Sequence, residues 1–340
     1  MNVSRIRNRL LASMILGVLV FAGLLAYGDF ANVGEALGEF RWELMPLILF
    51  VTLGNYLLRF VKWEFYLRQI GVTGLNRWDS FLMYFSGLGM TVTPGKIGEW
   101  LKSYLLKEIH GTPVIKSAPI LIAERMTDGL GLLVIAVAGV VVYGRSYWPV
   151  AVIFAAGSVA AIAVSRHRPL SHALLRFAGR LPIVGRFVPH LEEFYESTYV
   201  LMEPRGVLLM TLLSTGSWFF EVIAFYLTLV GLGVDASADT LFKAAFILPI
   251  STLVAAVLLV PGGLGVAEAG ITGLTIELFD NMDKSTATVA TLVVRIATLW
   301  FGVVIGLIMF GILARRLARM GKSLDAAAGT PLAAGHDPAA

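Results

Sequence analysis

An all-α, polytopic integral membrane protein is the fold that this sequence predicts, and three observations lead there. Hydrophobic residues make up 57% of the 340-residue chain and charged residues only 15%, with a mean hydropathy of +0.78, outside the range of water-soluble domains. Apolar runs of about 20 residues, long enough to cross roughly 30 Å of hydrocarbon, recur along nearly the whole chain. Two such runs are interrupted by Pro-Gly clusters, which break a helix. Helical spans satisfy their backbone internally, and these runs are too long and continuous for barrel strands. The chain has no cysteine, which excludes disulfides, thiolate metal sites and cysteine nucleophiles.

The net charge of +4 and pI near 9.3 point to membrane orientation rather than to nucleic acid, because the basic residues gather in three places. These are Arg5, Arg7 and Arg9, the segment from Arg166 to Arg205, and the tail with Arg315, Arg316, Arg319 and Lys322. All three are expected on the cytoplasmic side, together with both termini. Leu10 to Tyr27 has a signal-like basic flank but no small-residue cleavage pattern, so it is expected to stay as a first span, running outward. The acidic connector from Asp29 to Glu43 is then external, and Leu44 to Leu67 returns inward.

Trp78 to Val92 is apolar but short, and it stops at Thr93-Pro94-Gly95-Lys96; the amphipathic stretch Ile97 to Ile109 follows, so the pair reads as a hairpin that enters from the cytoplasm and returns there. Val114 to Tyr143 spans outward and Tyr147 to Ser165 back in. The basic loop of about 166–205 lies along the inner surface. Val207 to Val230 crosses outward, Leu241 to Val260 enters and meets Pro261-Gly262-Gly263-Leu264-Gly265, Ala267 to Leu278 leads back out, and Ser285 to Leu313 is the last inward span. One membrane domain over 1–320 is expected, with a low-complexity tail over 321–340.

Both breaks share the pattern Pro-Gly-x-aliphatic-Gly, and each precedes an intramembrane arginine, Arg125 or Arg295, by about 30 to 35 residues. A Lys-Ser pair comes before each arginine, at 116–117 and 284–285. The chain therefore reads as about eight membrane segments in two inverted repeats, about 10–143 and 147–313, each with a Pro-Gly-broken re-entrant hairpin.

Broken segments at matching positions of two halves point to a transport site, although a packing kink would leave the same pattern. Charges beside the first break, Lys96, Glu99 and Lys102, and the positive helix end after Gly95 favour an anionic ligand such as a phosphate or phospholipid head group. Glu124 and Asp128 share a helix face while Arg125 projects about 100° away. A charge within a span costs roughly 2.5 to 3.5 kcal/mol unless paired or wet. Two readings stay open for these three: an ion-pair network that locks helices, or substrate or proton coupling. Glu268 and Arg295 form the candidate counterpart pair, Glu221 and Arg59 are further intramembrane charges, and Arg59, Lys62 and Glu64 lie close enough to the inner interface that snorkelling explains them.

Catalysis finds little support. The five histidines fall outside the predicted spans, and no HExxH, Asp-rich or nucleotide-binding motif occurs, so no metal and no cofactor is expected.

The stretches PGKIGEWLKSYLL at 94–106, ERMTDGLGLL at 124–133 and LPISTLVAAVLLVPGGLGVAEAG at 248–270 resemble the lysylphosphatidylglycerol synthase transmembrane, or flippase-like, family, over roughly 10–315. The resemblance implies a bacterial or archaeal inner-membrane protein of about eight segments. In bifunctional members this region is thought to move aminoacylated phospholipid. Those members also carry a soluble aminoacyl-transferase domain, whereas here an Ala-rich stretch follows from Asp325, so this chain is not expected to synthesise lysyl-phosphatidylglycerol. Carried over by position, the site comprises Pro94, Gly95, Lys96, Gly98, Glu99, Glu124, Arg125, Pro261, Gly262, Gly263, Gly265, Glu268 and Arg295, to which the charge pattern adds Lys102 and Asp128. The expected function is movement of an anionic or zwitterionic lipid, a phospholipid or a polyprenyl-phosphate-linked molecule; the alternative is a membrane-embedded enzyme or accessory subunit of a lipid-modifying or glycosylation pathway. Membrane lipids are the expected partners, a lipid-modifying enzyme a further one under the alternative, and nucleic acid none.

Overall fold

In a computed structural model the regular structure of the described residues, 3–92, 97–143, 148–169, 171–173, 188–258, 260–280 and 282–319, is entirely helical. The principal helices are α1 (Val3–Tyr27), α2 (Phe30–Glu39), α3 (Met45–Gln69), α4 (Arg77–Leu88), α5 (Ile97–His110), α6 (Val114–Tyr143) and α7 (Trp148–Arg166). After the basic loop come α8 (Val188–Leu201), α9 (Pro204–Gly231), α10 (Ala238–Val257), α11 (Val266–Leu278), α12 (Lys284–Arg295) and α13 (Phe301–Arg319). Short turns precede α3 and α11, and a π-helical segment, Ile296–Trp300, joins α12 to α13.

Helix boundaries follow ordinary capping chemistry. Asn76 accepts from the N–H groups of Trp78 and Asp79 at the start of α4, Ser237 from Thr240 at α10, and Asp283 from Thr286 at α12. The acidic connector, which the sequence reading left without structure, is largely helical: Asp29 caps α2, which turns by 95° from α1. Ser285 donates to the Gly28 carbonyl at 2.7 Å and fixes that bend against α12.

Among the described residues four helical stretches are long and apolar enough to cross a membrane, Trp42–Gln69, Pro204–Gly231, Ala238–Val257 and Lys284–Arg319, and the bent α1/α2 pair brings the number to five. The count of about eight segments expected from sequence takes each broken hairpin as one segment and adds to these five the first hairpin, α6 and α7. α4, α5 and α11, with 12, 14 and 13 residues, are each too short to cross alone at 1.5 Å per residue.

α9 lies along α3 and α6, α10 along α6 and α11, and α4 along α13. The α4–α13 seat depends on two glycines: a Cβ added to Gly306 would overlap the backbone of Gly89, so the helices touch main chain to main chain. At the other end of α4, Arg316 Nε donates to Asp79 at 2.6 Å. α4 is thus held at both ends against α13, and it also packs on α3 while α5 packs on α6.

Candidate functional site

Arg59 and Lys62 lie three residues apart on α3 and therefore project from one face, toward Glu124 and Asp128, which lie four apart on α6. Arg59 Nη2 meets Asp128 Oδ2 at 2.9 Å. Lys62 Nζ, 1% exposed, is ion-paired with the other Asp128 oxygen and reaches Ser214 Oγ on α9 at 2.7 Å and Thr127 Oγ1 at 3.3 Å. Ser214 donates to Asp128 at 3.0 Å. Snorkelling is therefore not the explanation of these two cations; they are turned inward and tie α3, α6 and α9 to one carboxylate. Glu64, by contrast, accepts from Ser80 of α4.

Lys102 is turned inward as well. It is 6% exposed, pairs with Glu124 Oε2 at 2.6 Å, and sits over the rings of Trp63 and Tyr84 at 4.9 and 5.0 Å. Pro94, Gly95 and Lys96 lie outside the described residues, and Gly98, Glu99 and Pro261 are described in their backbone alone.

The second break is held by a small set of contacts among the described residues. Gly262, Gly263 and Gly265 take φ values of 62°, 70° and 87°, the left-handed region that favours glycine, and so the chain unwinds between α10 and α11. Glu268, 0% exposed, accepts the Gly265 N–H at 2.6 Å with one carboxylate oxygen and Arg295 Nε at 2.6 Å with the other. Arg295 Nη2 then donates to the Gly262 carbonyl at 2.8 Å. The positive end of α11 is thus occupied by the protein's own carboxylate. Arg295 also ends α12 where the π segment begins; π turns of this kind recur at functional sites. Tyr56 of α3 donates to the Thr298 carbonyl within that segment.

These groups surround one cavity of about 170 Å³. Its wall carries Lys102, Glu124 and Arg125 from the first half of the chain and Gly262, Gly263 and Arg295 from the second. Asp128 and Glu268 stand behind it, each bonded to a lining arginine. Arg59, Tyr56, Tyr84, Trp218 and Glu221 also line it and were not among the residues assigned to the site by sequence. Glu221 and Arg59 could have been added, since an ionisable residue deep in an apolar run needs a partner or water. The aromatic residues give no such signal, being indistinguishable in sequence from core. Among the described residues no three His, Asp or Glu side chains gather as a metal ion would require.

The arrangement can hold an anion against several cations inside a protein interior, with aromatic faces beside them. The family described as lysylphosphatidylglycerol synthase TM region matches residues 14–306. A UPF0104 membrane protein of Methanothermobacter thermautotrophicus is 25% identical over 318 residues, covering 84% of this chain and 90% of that protein. The glycosyltransferase AglD of Haloferax volcanii is 23% identical over 304 residues, 78% of this chain, and this chain spans about half, 48%, of its length. The cavity, the spans that enclose it and these likenesses lead to one statement of kinship: this multi-pass membrane protein belongs to the lysylphosphatidylglycerol synthase TM region family.

Proposed function

We propose that the chain moves an anionic or zwitterionic lipid across a bacterial or archaeal plasma membrane, its head group passing through the cavity between the two broken segments. The observation that carries this reading is the composition of the wall: cations from both halves, Lys102 and Arg125 on one side and Arg295 on the other, face a single space within an apolar helical body. A phosphate-bearing head group provides the counter-charge that such a wall favours, and the helices around it leave acyl chains in lipid. On this reading the two halves, about 10–143 and 147–313, are inverted repeats, both chain termini are cytoplasmic, the two breaks alternate in exposure, and the protein carries rather than transforms its lipid. Membrane lipids are its partners.

The likeness to a protein named as a glycosyltransferase favours a second reading, an accessory membrane subunit of a lipid-modifying or glycosylation pathway. Reconstitution separates the two. In proteoliposomes with fluorescent phosphatidylglycerol, a zwitterionic lipid and a polyprenyl phosphate, the wild type should speed transbilayer movement of one class. Loss of a charge-assisted contact worth about 1.5–3 kcal/mol should slow Arg125→Ala by about tenfold to a hundredfold. Folded wild-type protein that moves no class would turn the assignment to the second reading.

A further inference from the structure

Glu221 stands apart from every other acidic group at the cavity. It lies mid-helix in α9, is 9% exposed, lines the cavity, and has no hydrogen-bond or ion-pair partner among the described residues. The remaining carboxylates are each held by direct contacts: Glu124 by Lys102 at 2.6 Å, Asp128 by Arg59 at 2.9 Å and by Lys62, and Glu268 by Arg295 at 2.6 Å. A proton on any of those would discharge one member of an ion pair. Among the described cavity carboxylates, Glu221 can take one without doing so.

We propose that Glu221 is the proton site that couples movement of the anionic cargo to a proton gradient, an inference that rests on the carrier reading above and names its driving ion. The groups that face Glu221 favour a proton over a metal cation. Arg59 comes from α3, Asp128 from α6 and Arg295 from α12, Tyr56 of α3 lies beside it, and the part of α10 that lines the cavity, Leu248 to Ala256, contributes no ionisable side chain. Two arginines repel a sodium or calcium ion, and the one other carboxylate is already bonded, so the several oxygens that such an ion needs are missing. A proton needs one oxygen and a water path, and a cavity of about 170 Å³ with charged groups in its wall has room for several waters.

Charge explains the coupling. Around the cavity the described side chains include five cations, Arg59, Lys62, Lys102, Arg125 and Arg295, and four carboxylates. With Glu221 ionised the surplus is a single positive charge; with Glu221 neutral it doubles. An arriving anion is therefore held more tightly when Glu221 carries a proton, and by reciprocity its arrival favours proton uptake by the same factor. The step balances simply: hydronium on one side gives its proton to a Glu221 oxygen, and that O–H bond breaks to water when the cavity opens to the other side.

Two measurements on the full-length protein test this. For a monoanionic lipid and one proton, a pH gradient of one unit should drive about tenfold accumulation of fluorescent phosphatidylglycerol in one leaflet of wild-type proteoliposomes. Glu221→Gln should equilibrate the lipid without accumulating it, and Glu221→Asp should keep the accumulation. Lipid that moves in the wild type but stays evenly distributed under the gradient overturns the coupling and leaves the carrier reading intact. Failure of both phospholipids and the polyprenyl phosphate alike to move overturns both. Infrared difference spectra of wild type against Glu221→Gln read the site directly: a protonated-carboxyl band that appears and disappears with pH is expected, and its absence at every pH overturns the proposal whatever the lipid does.

Discussion

Asp128→Asn will lower the stability of the protein more than any other single change in the first half of the chain. Asp128 is the counter-charge of two inward-facing cations, Arg59 at 2.9 Å and the fully buried Lys62, and it also accepts from Ser214. The amide keeps the shape and loses the charge, leaving both cations uncompensated in a low-dielectric interior, for which the usual cost is about 3–5 kcal/mol. The midpoint of thermal unfolding in detergent should fall by on the order of 10 °C. Lys62→Met should cost less, because Asp128 then keeps Arg59. The two changes together should show a coupling of about 0.5–3 kcal/mol, since both act through one carboxylate. An unfolding midpoint for Asp128→Asn within a degree or two of wild type would mean that the three helices are held by packing alone.

The second large effect is expected at Arg295. This side chain joins the fully buried Glu268 to the Gly262 carbonyl, and so fixes the conformation of the unwound segment. Arg295→Ala leaves Glu268 with the Gly265 N–H as its remaining partner and should cost about 3–5 kcal/mol of stability. Arg295→Lys separates fold from function. It restores a positive charge for Glu268, but a lysine ammonium lacks the planar fork that serves carboxylate and carbonyl together. Its unfolding midpoint should lie well above that of Arg295→Ala, while lipid movement should fall about tenfold, the loss of the Gly262 contact at about 1.4 kcal/mol. Wild-type transport by Arg295→Lys would remove the break from the pathway.

How far these features could be read in sequence depends on the range of the interaction involved. α6 has the sequence-derived limits of Val114 and Tyr143, and the ends of α3, α9 and α11 differ from expectation by a few residues, because capping and hydropathy are local. The unwound backbone at Gly262, Gly263 and Gly265 was equally legible, since a Pro-Gly cluster allows few alternatives. Partnerships were not. Whether Lys62 leaves the membrane along its stem or turns inward depends on Asp128, 66 residues later, and on Ser214, 152 residues later. Nothing near Lys62 in the chain encodes that choice. The helical connector α2 was missed because acidic residues spread along it read as an external loop, although Asp29 ahead of it is an ordinary N-cap.

A pathway for a head group through the cavity can be tested most directly at Thr252, which lines it from α10 in a chain that has no cysteine of its own. Thr252→Cys should react with a membrane-impermeant maleimide added to either face of the membrane, should be protected by the transported lipid, and once modified should move no lipid. A Thr252→Cys protein that resists the reagent from both faces, or that moves lipid normally after complete modification, would contradict a cavity on the transport path.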